Sequence, residues 1–393
     1  MSERALAHIE RIAWVKPIEG ADNIELIGVL GWVCIAKKGE FKQGDFCIYF
    51  EIDSKLPEKE WSEFMRPKHF KVKTMKLGKF NVISQGLALP LKAFNSEGCI
   101  FPALNDGLPI EGSDVTELLG VTYSVEEDNI RKSKNGDPNA KYKSMASRHQ
   151  KLFKTKPFRW LMKKTWGRKL LFIFFGKKKD KPKAFPDWIV KTDETRIENA
   201  PWYLESDNKW FKTEKLDGTS CTYAVQRIKK NRYDFIVCSR NVRQADRDQV
   251  CYHDSNIYWE LADKYNIKEI LINYATSNKY DRVVLQGEGV GSVQGNPYKL
   301  TENELFIFNL VINGVRKGTD EMARFCNKYK LRHVPIIDSF YTLPKTMEEM
   351  KLEADGYSLI NPKVRREGFV YRTIDGQQSF KNVSREFLLK HNS

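Results

Sequence analysis

The block from Lys151 to Lys183 holds thirteen Lys or Arg against one acid, Asp180, and so carries +12 of the chain's formal +15. Charge of one sign at this density cannot be buried in a shared core, because each unpaired cation would lose its hydration. The block therefore divides the 393-residue chain. Length points the same way, since single cores stop growing beyond about 250–300 residues. The rest of the chain is close to neutral, so the excess charge, which suggests a polyanionic partner, is concentrated here.

From Ala5 to about Leu91 the pattern is β-type and punctuated by glycine. In "NIELIGVLGWVCIAKKGEFKQGDFCIYFEID" apolar residues partly alternate, as in Ile24/Leu26 and Phe46/Ile48/Phe50, and "KKGEF" and "KQGD" read as turns. Several short strands in about ninety residues predict a small OB-like β-barrel, a module common among nucleic-acid binders, and residues 1–120 are assigned to it. "RPKHFKVKTMKLGKF" interleaves Arg66, Lys68, Lys71, Lys73, Lys76 and Lys79 with His69, Phe70 and Phe80. That mixture suits a groove that neutralises phosphates and stacks bases, and equally suits a strand edge kept basic against aggregation.

Residues 121–184 read as a basic linker and insertion. "RKSKNGDPNAKYKSMASRHQK" is polar and turn-rich, and is expected to be mobile. "KPFRWLMKKTWGRKLLFIFFGKKKDKPK" sets Trp160, Trp166 and an apolar run among cations. It fits a helix clasping nucleic acid, a helix on an anionic membrane surface, or a helix packed on a domain with its lysines outward. Its run "LLFIFFG" is too short to cross a bilayer, and the N-terminus has no signal or transit character. Seven dispersed cysteines without a Cys-x-x-Cys pair, and six scattered histidines, argue against a zinc site or a disulfide framework. The expectation is a soluble intracellular protein, cytoplasmic or nuclear, with nucleic acid preferred to a membrane as the partner of the basic stretch.

After Ala184 the character becomes mixed α and β. "KTDETRIEN" has the look of a helix start, with Thr192 as cap and Asp193 and Glu194 in the first turn, where the helix dipole favours acids. Strand-like runs follow at "SCTYAV", "DFIVCSRN", "RVVLQGEG", "ELFIFNLVING", "EGFVYRT" and "QSFKNVS". Helical patterns lie at "YWELADKYNIKEILINYATSN", "TDEMARFCNKYK" and "TMEEMKLEADG".

One lysine stands out. In "FKTEKLDGTSCTY" Lys215 sits just before a turn, Leu216-Asp217-Gly218-Thr219, between two strand-like runs. A free ammonium titrates near about 10.4, so a nucleophilic lysine must be shifted down by cations, metal or desolvation, at about 1.4 kcal/mol per pKa unit. It also needs an electrophile, cations where negative charge develops, and carboxylates to hold a divalent metal. Two strand-borne acids lie downstream, Glu288 in "LQGEGVG" and Glu367 in "REGFVYR", followed by Lys381 in "SFKNVS". "FIF" places Phe306 and Phe308 on one strand face, where a ring can stack on a base.

The ordered set "KLDGTS", "SRN", "GEGVG", "FIFNL", "EGFVYR" and "SFKNVS" resembles the motifs of covalent-lysine nucleotidyltransferases, the superfamily of polynucleotide ligases and capping enzymes. With "HIERIAWVKPIEGADNIELIGVLGWVCIAKKGEFKQGDFCIYFEIDSKLP", "KTDETRIEN" and "QSFKNVSREFLLK", the chain resembles more narrowly the family-five RNA ligases of the Deinococcus/Naegleria type. These carry an OB domain ahead of the transferase. The resemblance covers about residues 4–91 and 185–393. It implies an α+β nucleotidyltransferase domain of ATP-grasp-like antiparallel sheets over 185–393, with ATP and Mg2+ or Mn2+ as cofactors. Its substrate would be RNA with 5′-phosphate and 3′-OH ends, in a nicked duplex, and the enzyme a monomer.

By the same resemblance Lys215 would attack the α-phosphorus of ATP and hold AMP, with Glu214 near the adenine. Arg240, Asn241 and Glu288 would contact ribose or phosphate. Phe306 or Phe308 would stack on adenine, Glu367 would bind the metal directly or through water, and Lys381 would bind the α-phosphate. The superfamily's Lys-x-Lys is incomplete, because Ser379 and Val383 flank Lys381 at two residues' distance; a second cation has to come from elsewhere. A GTP-dependent capping enzyme is the nearest rival, but those enzymes place an OB domain after the last motif, and only twelve residues follow Lys381. A non-catalytic RNA-binding protein with a decayed transferase domain would not be expected to keep Lys215, Glu288, Glu367 and Lys381 together.

Overall fold

The structure, a computed structural model, describes residues 5–97, 101–103, 107–123, 142, 145–146, 150–153, 155–175, 183–230, 232–244 and 256–391. Most of the polar stretch 131–151, together with Cys99 and Cys251, lies outside these. The chain forms two compact units, residues 1–122 with 182–393, and residues 123–181.

The N-terminal part is a curled five-stranded sheet. Its strands are β1 (Ala7–Pro17), β2 (Ile24–Val29), β3 (Trp32–Lys37), β4 (Phe46–Phe50) and β5 (Leu87–Pro90), ordered β3-β2-β1-β4-β5. The first half of β1 pairs with β4 and the second half with β2, with a register shift between Ile12 and Trp14. A bulge of this kind adds twist and bends one strand across two partners, which is how a short sheet curls into a half-barrel. Ile12, Ile27, Val29, Trp32, Cys34 and Tyr49 fill the interior. The basic stretch expected to form a groove is a 3-10 helix, Glu60–Lys68, followed by the hairpin Met75–Leu77/Val82–Ser84. Within it Phe70 is core and not a stacking platform, since it is 4% exposed and lies under the Arg66 guanidinium.

The unit 123–181 contains helices α1 (Lys156–Lys163) and α2 (Thr165–Phe175), which close over Met145, Phe153 and Leu171.

The C-terminal part contains two sheets. The larger has β7 (Thr219–Lys229), β8 (Arg232–Cys238), β9 (Arg282–Val290) and β10 (Glu304–Ile312) at its centre, all antiparallel in the order β8-β7-β9-β10. Helices α3 (Ile257–Lys264), α4 (Ile267–Asn278) and α5 (Thr319–Tyr329) bury Leu261, Leu271, Met322 and Phe325 in its core cluster. The continuous helical pattern from Tyr258 to Asn278 is broken at Asn266, which takes left-handed backbone, φ 51°. The smaller sheet holds β6 (Trp210–Lys215), β11 (Ile336–Tyr341), β12 (Gly368–Thr373) and β13 (Ser379–Val383) in the order β13-β12-β6-β11. Helix α6 (Met347–Ala354), opened by a Thr346/Glu349 capping box, packs Met350 among Trp210, Tyr371 and Phe380. Two short parallel pairs, Thr195–Arg196 with Phe380–Lys381 and Arg332–His333 with Phe306–Ile307, make both sheets mixed.

The half-barrel and the C-terminal part share a buried seam. Gly31 N donates to Glu198 O at 2.8 Å, Lys351 Nζ donates to Gly31 O at 2.7 Å, and Val383 and Leu388 enter the barrel's own core cluster. A Cβ on Gly31 would meet Glu198 Cα at 2.8 Å and Met347 Cε at 2.7 Å, so only glycine permits this approach. Across the same seam Trp32 Nε1 donates to Asn199 Oδ1, and Asn199 Nδ2 donates to the buried Glu51. No helix among the described residues is long and apolar enough to cross a membrane.

Candidate active site

Lys215 is the last residue of β6, and the loop Leu216–Gly218 carries the chain from the smaller sheet to the start of β7 in the larger one. Its depth depends on Gly218, where a Cβ would stand 2.4 Å from Gly289 O and 3.1 Å from Glu288 Cγ. The glycine is required by this close approach, not by a left-handed backbone. Tyr298 pins the loop from below, its hydroxyl accepting from Asp217 N at 2.7 Å. Leu216, Val290, Tyr298 and Phe306 form the apolar floor.

Register then brings the acids in. Lys215 pairs with Gly368, so Glu367, one residue earlier, reaches Lys215 Nζ at 2.7 Å. Glu288 pairs across β9 with Ser220 and Phe306. Burial and the neighbouring Glu367 push Asp217 up to about 6. Burial lifts Glu288 to about 8, with the carboxylates of Glu367 and Asp217 adding to the rise. Burial alone would lower Lys215, but Glu367, Glu288 and Asp217 outweigh it and hold its ammonium above the ordinary value. The sequence argument asked for a lysine shifted down; the structure instead surrounds it with three acids and keeps it protonated.

That excess of carboxylate is the observation against which a divalent cation is tested. Asp217 Oδ2 is buried without a partner, and three acids share one ammonium. Such a set fits a cation held by one or two carboxylates and by water, as magnesium prefers, more than an all-protein cage. Among the described residues no group of three or more His, Cys, Asp or Glu forms such a cage.

The phosphate-binding candidates assemble alongside. Lys381 Nζ lies 2.7 Å from Asp193 Oδ1, and Arg240 Nη2 lies 3.1 Å from Asp193 Oδ2. Arg240 and Lys381 are thus two cations held on the same carboxylate. The charge of Arg240 also opposes, weakly, the rise at Glu288. Asn241 follows Arg240 in the exposed loop after β8. Phe306 and Phe308 belong to one cluster, as alternation predicted, but Phe306 is 5% exposed whereas Phe308 is only partly buried. Glu214 is buried, with Oε2 accepting from Leu359 N at 2.8 Å and Oε1 unpartnered.

"KTDETRIEN" does not start a helix at Thr192; its only helical turn is the 3-10 segment Ile197–Asn199. Lys191 to Glu194 run without regular structure into the short strand Thr195–Arg196 beside β13. The local preference of Thr-Asp-Glu for a helix cap loses to cations on neighbouring strands. Asp193 takes Lys381 and Arg240, while Glu194 takes Arg372 at 3.0 Å and Arg316 at 3.5 Å and accepts from Ser379. Those two salt bridges hold Glu194 below the ordinary carboxylate value even though burial opposes it. Asp193, Glu194, Arg316, Arg372 and Tyr298 were missed from sequence as members of the site. Only the acid pair was visible there, and it was read locally.

Residues 6–91 match the family model of an OB-fold domain, and residues 208–390 match that of RNA ligase. Among solved structures the chain is similar to Naegleria gruberi RNA ligase with pyrophosphate (28% identity, 99% of each chain, TM-score 0.73). A mutant of that ligase with AMP and manganese matches equally over 99% of each chain, at 28% identity and TM-score 0.73. Another mutant with ATP and manganese matches at 28% identity over 98% of this chain and 99% of that one, with TM-score 0.72. Comparison with curated proteins gives no match.

Proposed function

We propose that this chain, whose residues 208–390 are an RNA ligase family domain, is an ATP-dependent RNA ligase. In this reading it joins a 3′-hydroxyl to a 5′-phosphate at nicks in duplex RNA and works as a monomer. The observation that carries the reading is the lysine turn itself: Lys215 on a glycine-gated loop, 2.7 Å from Glu367, with Lys381 and Arg240 poised on Asp193.

The chemistry follows from these contacts. Lys215 gives up a proton, for which Glu367 is the nearest acceptor, and its amine attacks the α-phosphorus of ATP. The N–P bond forms as the bond to the β-phosphate oxygen breaks, and pyrophosphate leaves. Lys381 and Arg240 exchange Asp193 for the α-phosphate, whose charge grows in the transition state. A magnesium or manganese ion, when bound, supplies positive charge against Asp217, Glu288, Glu367 and the phosphates, and so removes the field that keeps Lys215 protonated. AMP then passes to an RNA 5′-phosphate as the N–P bond breaks, and the 3′-hydroxyl attacks that phosphate to expel AMP.

Selectivity has a physical basis in the same pocket. Phe308 keeps the exposure needed to stack on adenine, while Phe306 supports it from the core. In this reading Glu214, 1% exposed, turns Oε1 outward when the nucleotide enters, accepts from the 6-amino group of adenine and repels the carbonyl that guanine presents there. The half-barrel then serves as the RNA-binding domain. Sealing of a nicked RNA duplex with a labelled 5′-phosphate tests the reading. Ligated product with ATP and magnesium or manganese, and none with GTP, supports it; transfer of GMP to an RNA end would move the enzyme to the capping class.

A further inference from the structure

The unit 123–181 contains a surface that the ligase reading does not use. On α2 the side of Gly167 and Leu171 is buried, with Phe172 and Phe175 packing partly against the same cluster. A different side of α2 carries Trp166, Leu170, Ile173 and Phe174, 56%, 41%, 75% and 73% exposed. The spacing i, i+4, i+7, i+8 makes them one continuous stripe. On α1 Lys156, Arg159, Trp160 and Lys163 share an exposed face at i, i+3, i+4, i+7, and Trp160 meets Trp166 edge-on at 6.0 Å. The apolar stripe of α2 thus runs directly into a basic and aromatic face of α1. No acid occurs between Asp137 and Asp180.

We propose that this α1–α2 face docks on a lipid bilayer whose surface carries anionic headgroups. Three occupants can be weighed by chemistry. RNA would use the cations and the tryptophans, but the aliphatic chains of Ile173 and Leu170 offer no π-face to a base, and 75% exposure of an isoleucine serves no phosphate. A second copy of the chain would bury the stripe only by setting one acid-free, strongly cationic block against another. A bilayer satisfies both halves of the face. Acyl chains receive Leu170, Ile173 and Phe174, Trp160 and Trp166 sit at headgroup level, and the lysines and arginine meet lipid phosphates. A short apolar stripe or a basic cluster alone gives weak attachment, and the two together give the paired signal that stable peripheral binding needs. The inference assigns to this insertion a membrane partner that the sequence reading set aside.

Co-sedimentation of the full-length protein with vesicles of phosphatidylcholine, with and without phosphatidylglycerol, tests it. Binding is expected only to the vesicles containing phosphatidylglycerol, weakening as salt rises. Ile173→Glu with Phe174→Glu should lower that binding at least about tenfold with the circular dichroism spectrum unchanged. A second variant, Lys163→Gln with Lys164→Gln and Lys169→Gln, leaves the apolar stripe intact and should also weaken binding. Absence of vesicle binding by the unaltered protein, or binding by either variant as strong as that of the unaltered protein, overturns the proposal. Loss of RNA affinity in the Ile173/Phe174 variant without any vesicle binding assigns the face to RNA and overturns it as well.

Discussion

His8 lies on β1 at the base of the seam, 5% exposed, with Nδ1 2.7 Å from Glu10 Oε1 and Nε2 3.7 Å from Glu51 Oε1. Glu51 in turn accepts from Asn199, whose carbonyl accepts from Trp32. Burial opposes charge on the imidazole, but the two carboxylates prevail and raise it from 6.5 to about 9. A raised folded-state value means that the folded protein holds the proton more tightly than the unfolded chain. The stabilisation is therefore complete below about pH 6.5 and is lost as pH climbs through about 9. A rise of this size corresponds to about 3 kcal/mol near pH 6, somewhat less at pH 7 and close to zero at pH 10. His8→Asn keeps a donor near Glu10 but cannot carry the charge. Urea unfolding of both proteins from pH 6 to 10 should show a stability difference of about 3 kcal/mol that narrows to a small residual packing cost. A difference constant across that range would mean that His8 is neutral in the folded protein, and would refute the reasoning.

Five further outcomes follow from contacts described above. Glu367→Gln should leave the fold intact yet reduce AMP transfer to Lys215 by about 100-fold or more, read by single-turnover labelling, because in the proposed mechanism Glu367 accepts the lysine proton and faces the metal. Asp193→Ala should lower the same rate by about tenfold, since Lys381 and Arg240 lose the group that positions them. Phe308→Ala should raise the KM for ATP with little change in melting temperature. Phe306→Ala, at a 5% exposed position, should instead cost about 3–5 kcal/mol of stability. Gly31→Ala should destabilise by about 1–3 kcal/mol through its contacts with Glu198 and Met347, measured by denaturant unfolding.

Much of this molecule was legible because its signals are local. The strands from "SCTYAV" to "QSFKNVS" were found from apolar runs and turn residues, and the lysine turn from four consecutive letters. What stayed hidden depends on separate stretches meeting in space. The upward pull on Lys215 comes from Asp217, Glu288 and Glu367, which lie on a loop, on β9 and just ahead of β12. No local reading sums their charges. Asp193 and Glu194 mimic the first turn of a helix because helix propensity is local, whereas Lys381, Arg372 and Arg316 arrive from elsewhere in the chain. The meeting of Arg240 with Lys381 on Asp193 was invisible for the same reason. Phe70 followed the rule of basic and aromatic interleaving but was claimed by the core. Gly31, an ordinary glycine in sequence, is the point where the half-barrel meets the catalytic part.

Incubation of the protein and of Lys215→Ala with α-labelled ATP and magnesium or manganese, followed by a denaturing gel, tests the central claim most directly. The account predicts label on the wild-type chain, its absence from a folded Lys215→Ala variant, and none from GTP. Label retained by the folded variant, or no label on the folded wild type, would contradict it.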